Sequence, residues 1–464
     1  MSSLFYGLNI AKNTLSAQTQ VLNVTAHNVA NANTPGYSKQ TVELAAVNNN
    51  SPSSLRSSSD LAIGAGVEAK SVARSRSPLY DAIYRKENQN YNNFSKTEDL
   101  LSQVELLFDE PSDRGLSSIL NDFFNSWQDI ASDPPNMGAR QSLKSIGNEL
   151  TDRLHRINTQ LLTMRQDIDN EISAIPASIN EISRDISTLN ESILLAGIQG
   201  GSANDLRDKR DTLIDELSKF SDVRAVEQSD GTMTVIIGSK VIVEHNKATE
   251  LYAVSSTSDQ RNVQRTVIRS KDGTDYVPTE GELGALINFR DVTLEDIMGK
   301  FNTLADSIVR TVNFEHENGF GLDGGTGRDF FDPNHTKAFN ISISDDINDV
   351  SHIAASGNGD KGDSANALRI NDLRSLKMVN NQFSYGEYYN ATISHIGVLA
   401  KEAKSGRTNE ELLVSQIDNA REGIKGVSID EELITMIQAQ YIYQGASRMI
   451  VVLDSLLETL IGIK

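Results

Sequence analysis

The sequence predicts a mainly α protein: an elongated helical bundle or coiled coil formed by the N- and C-terminal parts of the chain, with a small β domain inserted between them. Three observations predict this architecture. Apolar residues recur at helical spacing without interruption across residues 143–193, and both ends of the chain carry apolar stripes at the same spacing. Within residues 220–282 the pattern changes to the two-residue alternation of strands.

Composition limits the classes of function. The chain has 464 residues, room for roughly two to four domains, and 38% of them are hydrophobic. The net charge is −20, and no basic cluster is denser than Arg74-Ser75-Arg76. This charge argues against binding to nucleic acid or to the surface of a phospholipid membrane. The lack of cysteine excludes disulfides, thiolate metal sites and cysteine nucleophiles. No run of 18 apolar residues occurs, so membrane insertion is not predicted.

The first 40 residues contain no Asp or Glu. A helix is expected there, with outer faces that are neutral rather than charged. It is either an ordinary core helix or a helix enclosed by other protein, where a charge would be costly to bury. The helix should end near Asn31 and Asn33, and Thr34-Pro35-Gly36-Tyr37 then predicts a tight turn. Its apolar stripe consists of Leu8, Leu15, Leu22 and Val29, extended by Leu4.

The C-terminal helix is predicted to begin at a capping box of Ser428 and Glu431. Its stripe consists of Ile434, Ile437, Tyr441, Met449, Leu453, Leu456 and Leu460. Burial of a large apolar side chain stabilises by about 1.5–3 kcal/mol, whereas ordering the backbone costs about 1–2 kcal/mol per residue. An isolated terminal helix is therefore less stable than the same segment unfolded. Residues 1–40 and 427–464 are predicted to form a helical assembly domain that is disordered in the monomer and ordered by neighbouring subunits.

Residues 41–219 and 283–426 are predicted to form the elongated bundle. A helix should begin at Pro78 after the N-cap Ser77, and a second should carry Trp127. The long stripe over 143–193 advances about 3.6 residues per step, which gives a rod about 75 Å long. A kink or break is expected at Pro176. A second break is expected near Ser405-Gly406, within helices running from about 365 to 426.

The remaining segments are predicted to contain loops and strands. Residues 45–77 should form extended loop with short strands, and 319–364 loop with one strand near 339–343. In the inserted domain, 220–282, Asp230-Gly231 and Asp272-Gly273 mark hairpin turns. Its strands are expected at 223–226, 233–237, 241–243, 266–268 and 276–277.

No residue pattern supports chemistry. The seven histidines lack metal-ligand spacing and are expected to be exposed or lightly packed. The segment from Asp323 to Asp329 lacks the GK[ST] ending of a phosphate loop, and Asp345, Asp346 and Asp349 do not have the spacing of a calcium loop. The sequence therefore predicts no catalytic residue, no metal site and no cofactor, and the protein is not expected to be an enzyme.

Residues 26–37, AHNVANANTPGY, resemble a motif shared by the axial proteins of the bacterial flagellum. Further stretches resemble the hook-associated protein 1 family within that group. They are FFNSW at 123–127, ASDP at 131–134, NDLRDKRD at 204–211, GELGAL at 281–286 and GVSIDEE at 426–432. Together these matches span nearly the whole chain. The inserted β region is shorter than in larger members.

The resemblance implies a secreted subunit of the junction between flagellar hook and filament. Its implied partners are further copies of itself, the hook protein, a second junction protein (hook-associated protein 3) and an export chaperone that binds the C-terminal segment. The N-terminus has no basic n-region and no continuous apolar core, which predicts either a cytoplasmic protein or export by a route that cleaves nothing. The resemblance implies the second of these. The alternatives are a hook or distal-rod subunit and, in another class, a stand-alone secreted coiled-coil scaffold or adhesin.

Overall fold

The fold is dominated by long helices, as predicted. The computed structural model describes residues 2–47, 64–108, 115–257 and 264–462. The helices are α1 (Ser2–Ala30), α2 (Pro78–Phe108), α3 (Leu116–Ser132), α4 (Met137–Ile198), α5 (Asn204–Phe220), α6 (Gly281–Asn288), α7 (Leu294–Glu317), α8 (Ala365–Asp372), α9 (Tyr385–Lys425) and α10 (Ile429–Gly462). A π-helical turn, Phe289–Thr293, joins α6 to α7, and short 3-10 turns occupy Asp345–Asn348 and Val350–His352.

The strands form three small antiparallel sheets. The first is the hairpin of β1 (Gln40–Ala46) and β2 (Val67–Arg74). The second has four strands, β3 (Val223–Glu227), β4 (Met233–Ile237), β5 (Lys240–Glu244) and β6 (Lys247–Ala248). The third has β7 (Leu251–Thr257), β8 (Gln264–Ser270) and β9 (Asp275–Tyr276). The five strands predicted between 220 and 282 are present, and the sequence analysis missed β6 and β7.

The second and third sheets pack along α4. Two asparagines of α4 bond to the strand backbones: Asn180 accepts from the amide of Leu251 and donates to its carbonyl, both at 2.8 Å. Asn190 pairs in the same way with the backbone of Met233. Apolar residues of both sheets continue the core of the bundle. The strands are thus attached to the long helix by specific bonds, while the division of the chain into domains stays a prediction.

Helix α4 is longer than predicted and is not interrupted. It runs for 62 residues with Pro176 inside it, so of the kink or break expected at that proline, a break does not occur. Pro176 is itself buried, together with Ile172, Ile175 and Ile179 on either side. Burial of these side chains holds the helix together across the one backbone bond that proline cannot make.

The break expected near Ser405-Gly406 is also wrong, because α9 is continuous there. A Cβ atom at Gly406 would lie 2.5–2.8 Å from ring atoms of Phe94 on α2. The glycine therefore allows α2 and α9 to approach closely instead of ending the helix. The actual interruption lies earlier, between α8 and α9. The strand expected near 339–343 is reduced to a single bridge between Ile343 and Phe331.

An aromatic cluster fills the core where α3 meets α7. The Trp127 ring lies 5.4 Å from Phe330 and 6.1 Å from His316, between ring centroids. His316 is fully buried, contrary to the expectation of exposed or lightly packed histidines. Its Nδ1 lies 2.7 Å from the carbonyl of Arg328, and its Nε2 lies 2.9 Å from the amide of Ala354. A neutral imidazole protonated at Nδ1 satisfies both bonds, and burial lowers its pKa to about 4.

No helix within the described ranges combines the length and the low charge required to cross a bilayer.

Candidate assembly site at the terminal helices

Helices α1 and α10 form an antiparallel pair. Gly7 of α1 faces Leu453 and Met449 near the end of α10, whereas Asn28 bonds to Glu432 near its start. The buried residues of the two helices are mostly small or neutral: Ala11, Ala17, Gln18, Val24 and Thr25 on α1, which also packs on β1 and β2, and Ala439 and Ala446 on α10. Small side chains at the contact let the two backbones come close.

The predicted leucine stripe is not the most buried part of α1. Leu8, Leu15, Leu22 and Val29 are each half-buried. The side chain of Leu4 lies outside the described residues. The sequence pattern located the apolar ridge of α1, but the deepest burial on this helix falls on smaller neighbouring side chains.

Most of the predicted stripe of α10 remains exposed after it pairs with α1. The exposed fractions are 57% for Ile434, 51% for Ile437 and 70% for Tyr441. Met449 and Leu456 are exposed as well, and Leu453 is half-buried. The Leu460 side chain lies outside the described residues. One face of α10 therefore presents a row of large apolar side chains to solvent.

The turn after α1 forms as predicted. The amide of Tyr37 donates to the carbonyl of Thr34 at 3.2 Å, and Gly36 has φ of +79°. Pro35 and Gly36 thus occupy the positions that a type II turn requires. A Cβ atom on Gly36 would also lie 2.6 Å from the Thr212 hydroxyl of α5. A side chain at this position is therefore disfavoured both by the positive φ and by this contact.

The two other predicted turn residues have local roles. Asn31 donates to the carbonyl of His27 at 3.0 Å and accepts from the Thr34 hydroxyl at 3.3 Å. Asn33 is exposed. Neither asparagine makes a hydrogen bond to another element in the described structure.

Asn28, which the sequence analysis did not select as a site residue, bonds to three other parts of the site. Its amide oxygen accepts from the Tyr37 hydroxyl at 2.7 Å and from the Gln40 amide at 3.0 Å. Its amide nitrogen donates to the Gln40 carbonyl at 2.8 Å and to the buried carboxylate of Glu432 at 3.0 Å. One side chain therefore joins α1, the turn, β1 and α10. Its place in the motif at 26–37 was the only signal in the sequence.

Carboxylates of α5 hold the segment that leaves the turn. Asp208 accepts from the amide and the hydroxyl of Ser38 at 2.9 and 2.8 Å. Asp205 accepts from the side chain of Gln40 at 2.8 Å. Burial, together with Asp205 and Asp208, raises the pKa of Tyr37, so its hydroxyl stays protonated and able to donate to Asn28.

An arginine–aspartate cluster continues from Asp208 into the bundle. Arg421 of α9 donates to Asp81 of α2 at 2.9 Å and to Asp215 of α5 at 2.5 Å, and it lies over the ring of Tyr84. Burial opposes ionisation of Asp211, but Arg76, Arg74 and Arg85 outweigh it and lower its pKa. The cluster fixes β2, α2, α5 and α9 together; its members are Arg74, Arg76, Arg85, Arg421, Asp81, Asp208, Asp211 and Asp215.

The charged and polar side chains of the site connect helices and strands to one another. Its titratable groups are engaged in ion pairs and hydrogen bonds between elements. In the part of the chain that the structure describes, no group of three or more metal-ligating side chains is placed to hold an ion. The loop from Asp323 is closed by a two-point ion pair of that residue with Arg328.

Three family models match the chain. The flagellar hook-associated protein FlgK helical domain matches residues 101–331, which include α3, α4 and the sheets packed on it. The flagella basal body rod protein model matches residues 8–37, covering most of α1 and the turn. The flagellar basal body rod FlgEFG protein C-terminal model matches residues 424–463, which contain α10.

Curated relatives match over the full length. Flagellar hook-associated protein 1 of Bacillus subtilis (strain 168) is 30% identical over all of this chain and 99% of its own length. The protein of the same name from Escherichia coli (strain K12) is 24% identical over the whole of both chains. The flagellar hook junction protein FlgK from Burkholderia pseudomallei has the same fold, with a TM-score of 0.66, 17% identity, and coverage of 75% of this chain and all of that one. The chain therefore belongs to the flagellar hook-associated protein 1 family.

Proposed function

We propose that this chain is a structural subunit of the bacterial flagellum that joins the hook to the filament, and that it self-assembles into a ring-like junction through α1 and α10. Family membership supports the flagellar role. The observation that carries the assembly proposal is the apolar face of α10, which α1 leaves uncovered.

The energetics favour a neighbouring subunit on this face. Ile434, Ile437 and Tyr441 follow one another at steps of three and four residues, so they share one side of the helix. Each is more than half exposed, and covering it stabilises by about 1 kcal/mol per side chain. The half-buried leucines of α1 add a second ridge. In a ring these gains recur at every interface, and the neutral faces of α1 avoid the cost of burying charge.

We further propose that residues 1–40 and 427–464 order fully only in the assembly. The contact of α1 with α10 buries mainly small side chains, which offer little apolar area to offset the entropy of ordering two long helices. In the monomer, limited proteolysis should remove residues near 1–35 and 430–464 and leave a folded bundle. Protection of both ends in the monomer would contradict this proposal.

The proposed partners are copies of this chain, the flagellar hook protein and a second junction protein, hook-associated protein 3. Before assembly, the exposed apolar face of α10 requires cover, and an export chaperone that binds the C-terminal segment would supply it. The proposed location is the flagellum outside the cell, reached without a cleaved signal peptide. The role proposed is structural and involves no catalysis, nucleic acid or membrane insertion.

The test is incorporation at the end of isolated hooks, observed by electron microscopy. The wild-type protein should add a discrete ring at the distal end. The variant Ile434→Asp/Tyr441→Asp should abolish addition while the melting temperature of the bundle stays unchanged, because both side chains are exposed. Phe314→Asp, at an exposed apolar residue of α7, is the matched control and should assemble normally.

Two results would contradict the proposal. Normal ring formation by the α10 variant would show that this face is not the interface. Continuous extension of the hook, in place of a discrete ring, would favour the alternative of a hook or distal-rod subunit.

A further inference from the structure

A cavity of about 790 Å³ lies between β2, the first half of α2, α5 and β3. Six cationic and four acidic side chains line it, so its wall is positive in a chain whose net charge is −20. The cations are Arg74, Arg76, Arg85, Lys86, Arg207 and Arg224. The acids are Asp81, Asp211, Asp222 and Glu227.

The floor of the cavity contains an incompletely bonded guanidinium. Arg85 is 7% exposed, and its Nε donates to Asp215 at 2.6 Å. Its Nη2 has no hydrogen-bond acceptor among the described residues, and the Asp211 carboxylate lies at 3.6 Å, beyond bonding distance. Buried guanidinium nitrogens are normally bonded, so Nη2 is a donor without a partner at the cavity wall.

Two further cations are free at the rim. Lys86 on α2 and Arg224 on β3 are exposed, and neither forms an ion pair within 4 Å in the described structure. Glu280 and Glu410 act on Lys86 only from a longer distance. By contrast, Arg74, Arg76 and Arg207 are neutralised by carboxylates of the protein. The two unpaired cations thus lie at the rim, and the floor adds one unbonded donor of Arg85, whose charge is balanced by Asp215.

We propose that this cavity binds an acidic peptide segment through at least two carboxylates. One carboxylate accepts from Arg85 Nη2 at the floor, and another is held by Lys86 and Arg224 at the rim. The carboxylates of a peptide are separated along its chain, as the cationic groups of Arg85, Lys86 and Arg224 are separated in the cavity. A compact polyanion such as pyrophosphate would concentrate its charge beside Asp211 and Asp222, which repel it.

A neighbouring axial subunit is the source of this segment that we favour, and that part rests on the proposed function. Each copy carries 63 acidic residues, so acidic segments are abundant on any neighbour of the same kind. The binding itself can be measured on the isolated protein and does not depend on assembly. Failure of the cavity proposal therefore leaves the role of α10 untouched, and failure of ring formation leaves the cavity proposal untouched.

The test is isothermal titration calorimetry of the full chain with a tetraglutamate peptide blocked at both ends, at low ionic strength. We expect a dissociation constant below about 1 mM that weakens as salt is added. The variant Lys86→Glu/Arg224→Glu should bind about tenfold more weakly, since two attractive contacts become repulsive. Lys401→Glu/Lys404→Glu, which reverses two exposed charges on α9, is the matched control and should bind as the wild type does.

Three outcomes would overturn the proposal. The first is no binding of the peptide by the wild-type chain. The second is equal weakening in the rim variant and in the α9 control, which would indicate a general charge effect. The third is tighter binding of inorganic pyrophosphate than of the peptide, with the same loss in the rim variant, which would assign the cavity to a small phosphate anion.

Discussion

The buried imidazole of His316 makes the stability of the bundle depend on pH in a calculable way. Both ring nitrogens are bonded in the neutral form, and burial lowers the pKa to about 4, from 6.5 in an unfolded chain. Between these values the unfolded state binds more protons than the folded state, so the stability that His316 contributes falls as the pH falls. From pH 7.5 to pH 5 the loss is about 2 kcal/mol.

The assay is urea unfolding at both pH values for the wild type and for His316→Gln. Glutamine has a donor and an acceptor but does not titrate, so the free energy of unfolding of the variant should lack this loss. The difference between the two proteins should therefore shrink by about 2 kcal/mol on acidification. His395→Gln, at an exposed histidine of α9, controls for the change of residue type.

The comparison with a variant is necessary because another group acts in the opposite direction. Burial and the neighbouring Glu317 raise the pKa of Asp329 to about 6. Its folded form holds a proton that the unfolded form releases, so its contribution to stability rises as the pH falls through 6. This effect is common to both proteins and cancels in the difference. A difference that stays constant from pH 7.5 to pH 5 would refute the reasoning about His316.

Two further predictions concern close approach and bonding between helices. Gly406→Ala should lower the free energy of unfolding by about 1–3 kcal/mol, because the added Cβ meets Phe94. Gly423→Ala on the same helix has open space and should raise the free energy of unfolding by about 0.5–1 kcal/mol. Thermal unfolding compares the two variants, and changes of the same sign would contradict the close approach of α2 and α9. In the assembled protein, Asn28→Ala should speed hydrogen exchange of the Gln40 amide by at least tenfold, whereas Asn31→Ala, which removes only local bonds, should not. Equal rates in the two variants would show that Asn28 does not hold Gln40 there.

The sequence predicted those features that periodicity or local backbone chemistry determines. The stripe over 143–193 identified α4, because one face of that helix is buried along its length. The turn at Pro35 and Gly36 followed from their backbone preferences alone. Both helices continue where an interruption was expected, at Pro176 and at Gly406, because packing with other elements outweighs the local tendency to interrupt a helix.

The bonding pattern of the candidate site could not be predicted, because its partners are distant in sequence. Nothing in the local pattern around Asn28 indicates that Gln40 and Glu432 share its amide group. The carboxylates of α5 likewise have the spacing of an ordinary charged helix face. Only the fold brings Asp208 to Ser38 and Arg74. Buried polar residues lack the regular period by which apolar faces are recognised.

The bond between Asn28 and Glu432 joins residues 404 positions apart, and this has a consequence for the timing of folding. A chain that emerges N-terminus first, from a ribosome or from a narrow channel, cannot make this bond until almost every residue has passed. Throughout that passage α1 lacks the helix that covers its small-residue ridge. The order of emergence thus keeps the two terminal surfaces apart until the rest of the subunit is free to fold.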